Sequence, residues 1–434
     1  MKFKIHRGTK EIGGSCVEVW TDNTRILLDF GMPLIAENGE EFNFYPYKDL
    51  TWQELIEKGI LHDIEGLYPD STKLIDGIVI SHAHQDHVGL LGYVNSNIKH
   101  YLGEATHEII KLDNVFNRKD LQLKNLYYFE KSKSFNIGDI TITPYWADHS
   151  AFDAYSFLVE ANGKSIFYSG DFRSHGRKTK AFEWFTLNAP KKVDYLLLEG
   201  TTIGNSDKLF KTETEIENEL MEVFKQPNKI NLIYTSGQNI DRLVSIYRAC
   251  IRTNKTMVVD VYVASVLKIL SRFARIPFPS EKFKDMKVLF ASYLCRKLKD
   301  DGREKQFYQF KRFKITKEEI SNQPDAFVMT VRPALKAELE HIYNMDGGNL
   351  IYSMWEGYLD KKYTSDFVAY LEGRNFIMHQ IHTSGHADTP TLKRMVEAIQ
   401  PKHIVPIHTF KGDKYQEIFE YLIVRLKDGE IREI

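Results

Sequence analysis

Along the first half of the chain, short β-branched apolar runs alternate with polar segments, and each run leads within a few residues to a side chain able to bind metal. Arg25-Ile26-Leu27-Leu28 runs into Asp29, Ile78-Val79-Ile80 into a histidine cluster, and Ile140-Thr141-Ile142-Thr143 leads to Asp148-His149. Ile166-Phe167-Tyr168 runs into Gly170-Asp171, and Tyr195-Leu196-Leu197-Leu198 into Glu199. Far downstream, Phe376-Ile377-Met378 leads toward His382 and His386, and Ile404-Val405-Pro406-Ile407 into His408. Such runs predict strands, and loops at one edge of a rigid sheet are where functional groups are mounted. Helical periodicity around 51–60, 104–113, 212–225, 240–253, 332–344 and 390–400 makes the chain mixed α/β. Between Glu199 and His382 the polar strand ends stop, yet strands and helices continue. This predicts a domain inserted over 205–372, with 1–204 and 373–434 forming the two parts of the other.

A chain of 434 residues, 43% hydrophobic and 27% charged, has enough apolar material for a large core and more than one domain. No apolar run approaches the roughly 20 residues that span a bilayer, and Met1 to Gly8 lacks a signal-peptide pattern. Cys16, Cys250 and Cys295 stand far apart without a CxxC, which suggests neither a disulfide framework nor a thiolate zinc site. The expectation is a cytoplasmic protein with no membrane partner. A net charge of -1 leaves nucleic acid to a local basic groove. Arg173, His175, Arg177, Lys178 and Lys180 form one basic stretch after Asp171. A second runs from Arg296 to Lys314 with interleaved aromatics, and is better read as a solvated helical face with its apolar residues inward.

Ser81-His82-Ala83-His84-Gln85-Asp86-His87 compresses four N/O donors into six positions after an apolar strand. His82 and His84 project the same way from an extended segment and suit one ion. Asp86 and His87, beyond the turn, suit another. His149, Asp171 and His408 are available to complete the coordination, although a lone histidine after a strand is more often structural than a ligand. An N/O set suits zinc and also admits manganese or iron. Asp29 is either a turn residue or a carboxylate that orients a ligand histidine.

In this order the residues resemble the metallo-β-lactamase superfamily, and within it the β-CASP branch of nucleases. Leu198-Glu199-Gly200-Thr201 is similar to the branch's motif A, His382-Thr383-Ser384-Gly385-His386-Ala387 to motif B and Pro406-Ile407-His408 to motif C. Thr235 to Arg242 is similar to the segment that opens the β-CASP helix. The resemblance implies an αββα sandwich with an inserted β-CASP α/β domain. It implies two divalent ions, one on His82, His84 and His149, the other on Asp86, His87 and His408, with Asp171 bridging. Motif C is histidine in RNA-cleaving members and valine in DNA-cleaving ones, so His408 implies RNA. The Gly-Glu that often follows motif C is replaced by Thr409-Phe410.

The function implied is phosphodiester hydrolysis leaving a 5′-phosphate and a 3′-hydroxyl. Two cations sharing a carboxylate lower the pKa of water and offset charge on the phosphate. The catalytic groups are Asp86, which also holds metal, His386 as general acid and Glu199 fixing its tautomer. His382, Ser384 and Arg173 are expected at the substrate phosphate. Hydrolysis of a small ester or lactone, cleavage of DNA, and a silent nucleic-acid-binding role are the alternatives. Ser353-Met354-Trp355-Glu356-Gly357-Tyr358 has no assignable role, and a turn with a packed tryptophan is expected there.

Overall fold

The computed structural model describes residues 1–36, 39–117, 121–204, 209–227 and 229–434. They divide into two units, Met1–Leu209 with Gly385–Ile434, and Phe210–Ser384.

The first unit holds two seven-stranded sheets. In one, strands Arg25–Leu28, Gly77–Val79, His100–Leu102 and Leu126–Tyr128 run parallel, and Cys16–Trp20, Lys2–Arg7 and Ile431–Glu433 add antiparallel on the other side. In the other, Lys164–Tyr168, Tyr195–Glu199 and His403–Ile407 run parallel, with Ala154–Ala161 and Ile140–Ala147 adding antiparallel. Alternation along each strand builds the layers. Ile26, Leu28 and Val79 pack between the sheets against Ile142, Phe157, Ile166, Leu197 and Val405. Leu27, Ile78 and Ile80 face outward onto Leu55 and Ile110 of helices Trp52–Glu57 and Glu104–Asn117. Phe167, Leu196, Leu198 and Ile404 cover the opposite flank with Phe182, Phe185, Leu392 and Val396 of helices Thr179–Asn188 and Thr389–Ile399. The result is an αββα sandwich. Strands Arg25–Leu28 and Gly77–Val79 of one sheet, and Ile140–Ala147, Lys164–Tyr168, Tyr195–Glu199 and His403–Ile407 of the other, all end where the predicted donors follow.

The second unit is built on seven parallel strands in the order Lys314–Ile315, Met286–Leu289, Thr256–Asp260, Phe327–Val331, Asn231–Tyr234, Asn349–Tyr352 and Ile377–Gln380. Ile377–Gln380 was expected to lie in the C-terminal part of the first domain. It pairs instead with Asn349–Tyr352, from Asn349↔Ile377 to Tyr352↔Gln380, so the chain returns to the first unit at Gly385 rather than at 373. The expected boundary at 204/205 abuts residues 205–208, which lie outside the described residues. The periodic stretch 332–344 breaks into two short turns, Pro333–Leu335 and Lys336–Leu339. Phe307 and Phe310 of the second basic stretch are buried. The expected turn with a packed tryptophan is the 3-10 turn Glu356–Tyr358, with the Trp355 indole over Gly357 and edge-on to Tyr358, although Trp355 stays 59% exposed.

Glu18, buried on strand Cys16–Trp20, receives His6 Nε2 at 2.7 Å, an ion pair from Arg25, and Lys4 Nζ at 3.6 Å. Burial alone would raise its pKa, but the bonds from His6 and Arg25 overcome that and bring it to about 2. A folded value below the unfolded one stabilises the fold above the unfolded pKa, and that contribution is lost as pH falls from about 4.5 toward 2. Glu18→Gln is expected to cost about 3 kcal/mol at pH 7, read as a lower urea midpoint. The gap to the unsubstituted protein should narrow steadily below pH 4.5.

Candidate metal centre

Each donor is carried by a strand end whose direction the core fixes. After Gly77–Val79 the chain extends through Ser81 to His84, then turns into helix Gln85–Val88, with His84 at its N-cap. Extension sends His82 and His84 toward one group, and the helical turn sends Asp86 and His87 toward another. The Asp29-Phe30-Gly31 turn and Ser15 beside it clamp this loop: Phe30 N donates to His87 O at 2.9 Å, and Ser15 N to Asp86 O at 3.0 Å. The approach at Gly31 is so close that a Cβ there would fall 1.7 Å from Asp86 O, so only glycine fits.

The donor atoms fall into compact sets. His82, His84 and His149 form one, and Asp86, His87, Asp171 and His408 another, each with all its atoms within 4.8 Å of one another. His149 Nε2 stands 3.2 Å from His84 Nδ1, His87 Nε2 3.2 Å from Asp171 Oδ2, and His408 Nε2 3.2 Å from Asp86 Oδ2. His82 Nε2 and His149 Nε2 lie 3.8 and 4.0 Å from Asp171 Oδ2. Donors held at about 2.0–2.2 Å around one cation stand about 3–3.5 Å apart, so these spacings are close to coordination edges. Among the described residues, buried His82 Nε2 and Asp171 Oδ1 have no hydrogen-bond partner. Orphaned buried polar atoms are costly, and a divalent cation is the group that would satisfy both. The residues fit metal.

The far sides of His87, His149 and His408 are held too. His87 Nδ1 lies 2.7 Å from Asp29 Oδ2, and the same carboxylate accepts from Ser81 N at 2.7 Å, Ser81 Oγ at 2.7 Å and Tyr168 Oη at 2.8 Å. His149 Nδ1 donates to Gly385 O at 2.7 Å, and His408 Nδ1 meets Thr201 Oγ1 at 2.9 Å. These contacts fix which ring nitrogen faces the centre. Asp29 and His408 both have left-handed backbones, with φ of 59° and 55°, a conformation non-glycine residues adopt where the surroundings enforce it. Lys178 Nζ donates to His149 O at 2.7 Å and Ala151 O at 3.0 Å, bracing that loop.

Burial, reinforced by neighbouring imidazoles, holds His82 and His149 well below the usual histidine range, which leaves them neutral for ligation. For His87 burial acts the same way, but the carboxylates of Asp171, Asp29 and Asp86 outweigh it and hold its pKa well above that range. His386 is raised to about 9, burial being overcome by Asp171 and Glu199. Without metal, protons on His87 and His386 balance the buried carboxylates. His87 would give up its Nε2 proton on holding a cation there.

His386 Nδ1 lies 3.5 Å from Glu199 Oε1 and 3.7 Å from Asp171 Oδ2. Glu199 is buried and fixed by Thr201 N at 2.9 Å. Arg173, expected at the substrate phosphate, is instead fully buried, its Nε 3.5 Å from Asp148 Oδ1 and its N donating to Asp148 O at 2.6 Å. That arginine is a strut beneath the His149 loop. His382 and Ser384 stand at the end of the second unit, flanking Thr383, whose hydroxyl donates to Lys211 O at 2.6 Å. Lys178, expected in the basic stretch for nucleic acid, is instead engaged by the His149 and Ala151 carbonyls, and Ser81, Tyr168 and Thr201 carried no individual expectation. Ser81 and Thr201 lie within quoted motifs, whereas nothing local marks Tyr168.

Residues 60–235 match the beta-lactamase superfamily domain family, and residues 375–415 match the Zn-dependent metallo-hydrolase RNA specificity domain family. Residues 60–235 thus carry a domain of the metallo-β-lactamase superfamily. Divalent metal goes with these two domain families. Among similar proteins, Ribonuclease J of Helicobacter pylori (strain B128) is 23% identical over 425 residues, covering 92% of this chain and 55% of the relative. The RNase J-like protein of Methanocaldococcus jannaschii is 26% identical over 277 residues, 60% of this chain and 57% of that one. Transcription termination factor FttA of Methanothermobacter thermautotrophicus is 25% identical over 286 residues, 60% and 41%. The chain thus spans little more than half the length of the curated relatives it matches first. A crystal structure of a protein of unknown function from Enterococcus faecalis V583 superposes with a TM-score of 0.78 at 19% identity over 99% of both chains, and so shares the fold. No helix among the described residues is long and apolar enough to cross a membrane.

Asp29→Ala removes the carboxylate that orients His87, and should weaken metal binding by about 10- to 100-fold. Competition against a chromophoric chelator reads this directly. Affinity within twofold of the unsubstituted protein would show that His87 needs no such support.

Proposed function

We propose that this chain hydrolyses RNA phosphodiester bonds with two divalent cations, zinc or manganese, leaving 5′-phosphate and 3′-hydroxyl ends. The reading is carried by the two adjacent donor sets, His82/His84/His149 and Asp86/His87/Asp171/His408. Seven donors exceed what one ion takes, and Asp171 Oδ2 stands within 4.0 Å of donors from both sets. RNA as substrate is supported by the RNA specificity family match at 375–415 and by relatives named Ribonuclease J. The unit Phe210–Ser384 is proposed to be a β-CASP domain, and His382 and Ser384 to donate to substrate phosphate. A cytoplasmic location is proposed with it, supported by the three free cysteines Cys16, Cys250 and Cys295.

When bound, two such cations make water a nucleophile near neutral pH and offset the negative charge that builds on the phosphate. The protein's own task is to place donors and deliver a proton. His386 is the group suited to the leaving oxygen, since its side chain is 22% exposed whereas Glu199 beside it is 1% exposed. Glu199 orients the imidazole through Nδ1, leaving Nε2 to the substrate. Its carboxylate and that of Asp171 keep the ring protonated, as a general acid requires.

Metal analysis is expected to give about two ions per chain, with His82→Ala emptying mainly one position and Asp171→Ala reducing both. A stoichiometry that stays at one under metal-replete dialysis would remove the bridged arrangement.

His386→Ala should retain metal yet slow cleavage of end-labelled RNA by about 100- to 10,000-fold, the scale of general acid catalysis. Glu199→Gln should show a smaller loss of the same kind. Because the proton is needed on His386, the rate should fall as pH rises through that histidine's pKa, and this limb should vanish in His386→Ala. Opening of a lactone with no cleavage of RNA would favour a small-molecule hydrolase instead.

A further inference from the structure

In a parallel sheet, the crevice outside the strand ends opens where adjacent strands send their connections in opposite directions. The second unit has such a point. Strand Thr256–Asp260 leads through helix Val261–Leu270 to Met286–Leu289 on one side, while its neighbour Phe327–Val331 leads to Asn349–Tyr352 on the other. Asp260 and Arg332 stand at these two strand ends. Asp260 Oδ1 caps the following helix through Val263 N at 2.9 Å, and its Oδ2 pairs with Arg332 Nη2 at 2.6 Å.

Two aromatic rings are fixed around this pair. Arg332 lies over the Tyr262 ring, 5.5 Å from its centroid, and the Tyr262 hydroxyl accepts from Gln238 Nε2 at 2.7 Å. The Tyr293 hydroxyl accepts from Arg332 Nη2 at 3.2 Å, yet the residue is 39% exposed. Its ring is therefore pinned at the polar end while more than a third of the residue remains open to solvent. Tyr293 belongs to helix Ser292–Asp300, whose Leu294 and Leu298 are buried. Arg296 and Lys299 follow it at three-residue spacing on the exposed ridge. Residues 292–316 carry eight Lys and Arg against three Asp and Glu, in a chain of net charge -1. The carboxylate of Glu338 beside this helix is already engaged by Lys317 and Ser292 N. A fixed ring next to surplus cations is what recognition of an unpaired nucleotide needs: a face for the base and charge for the phosphates.

We propose that this switch-point crevice binds an unpaired nucleotide of an RNA strand, its base on Tyr293 and its flanking phosphates on Arg296 and Lys299. The proposal rests on the RNA reading above and adds a contact outside the metal centre.

The test uses the full chain, a fluorescein-labelled 20-nucleotide oligoadenylate with cleavage stopped by chelator, and anisotropy as the readout. Tyr293→Ala should weaken binding by about 5- to 150-fold, the range for one stacked base, while Tyr293→Phe, which keeps the ring, should stay near the unsubstituted protein. Joint replacement of Arg296 and Lys299 by Gln should lower the slope of log affinity against log salt by about 1.4, for two phosphates. Hydrolysis of bis(p-nitrophenyl) phosphate in replete metal reports the metal centre separately and should not change in any variant. Binding by Tyr293→Ala within twofold of the unsubstituted protein overturns the proposal whatever the protein cleaves. So does a Tyr293 dependence seen with AMP but not with the oligonucleotide, which would make the crevice a site for free nucleotide. Tyr293-dependent RNA binding by a protein that never cleaves RNA would uphold the crevice and remove the hydrolase reading instead.

Discussion

The buried carboxylate of Asp29 is the constraint on which the metal centre depends. It sits at the end of a strand in one sheet, takes the hydroxyl of Tyr168 from the facing sheet, and holds Ser81 and His87 of the loop between. With 0% exposure it has no water to fall back on, so these donors must satisfy it. One acid thereby registers two sheets and a loop. Its left-handed backbone is a local cost, offset by the four bonds it makes possible.

The same logic extends to the seven donors. Burying imidazoles and carboxylates together is unfavourable unless charge is balanced. Protons on His87 and His386 do this in part, raised as they are by Asp171, Asp29, Asp86 and Glu199. A divalent cation does it better, since it would meet atoms that have no hydrogen-bond partner among the described residues, such as His82 Nε2 and Asp171 Oδ1. Folding and metal affinity are thus coupled through the sandwich core, because Leu28, Val79, Tyr168, Leu197 and Val405 set the strand ends from which the donors project.

The second unit uses strand ends differently. Its sheet is parallel throughout, and its buried charges are paired within it, Arg242 with Glu213 at 3.1 Å and Arg332 with Asp260. What it presents outward is a pinned tyrosine and unbalanced basic residues. The first unit concentrates buried donors suited to a cation, whereas the second exposes cations and rings suited to a polyanion.

Six strands of the sandwich, those ending at candidate donors, and the central loop were legible in the sequence. Apolar β-branched runs are local, and His82, His84, Asp86 and His87 lie within six residues, so no long-range contact is needed to see them. The order of polar strand ends also brought His149, Asp171 and His408 forward as partners, because parallel strands of one sheet finish at a common edge. Tertiary structure alone decided the rest. Arg173 reads as a substrate contact from its neighbours in sequence, but Asp148, 25 residues earlier in sequence, takes its charge inside the fold. Strand Ile377–Gln380 joins the second sheet because its pairing partner is Asn349–Tyr352, and a short apolar run carries no mark of which edge it will complete. Trp355 packs its indole on Gly357 at the surface and stays 59% exposed, a packing outcome that hydrophobicity does not encode. Tyr168 reaches Asp29 across 139 residues of chain. Hydrophobic periodicity fixes which side of a strand is buried, whereas partners for buried charge are chosen by sheets packing face to face, and only the folded chain brings those faces together.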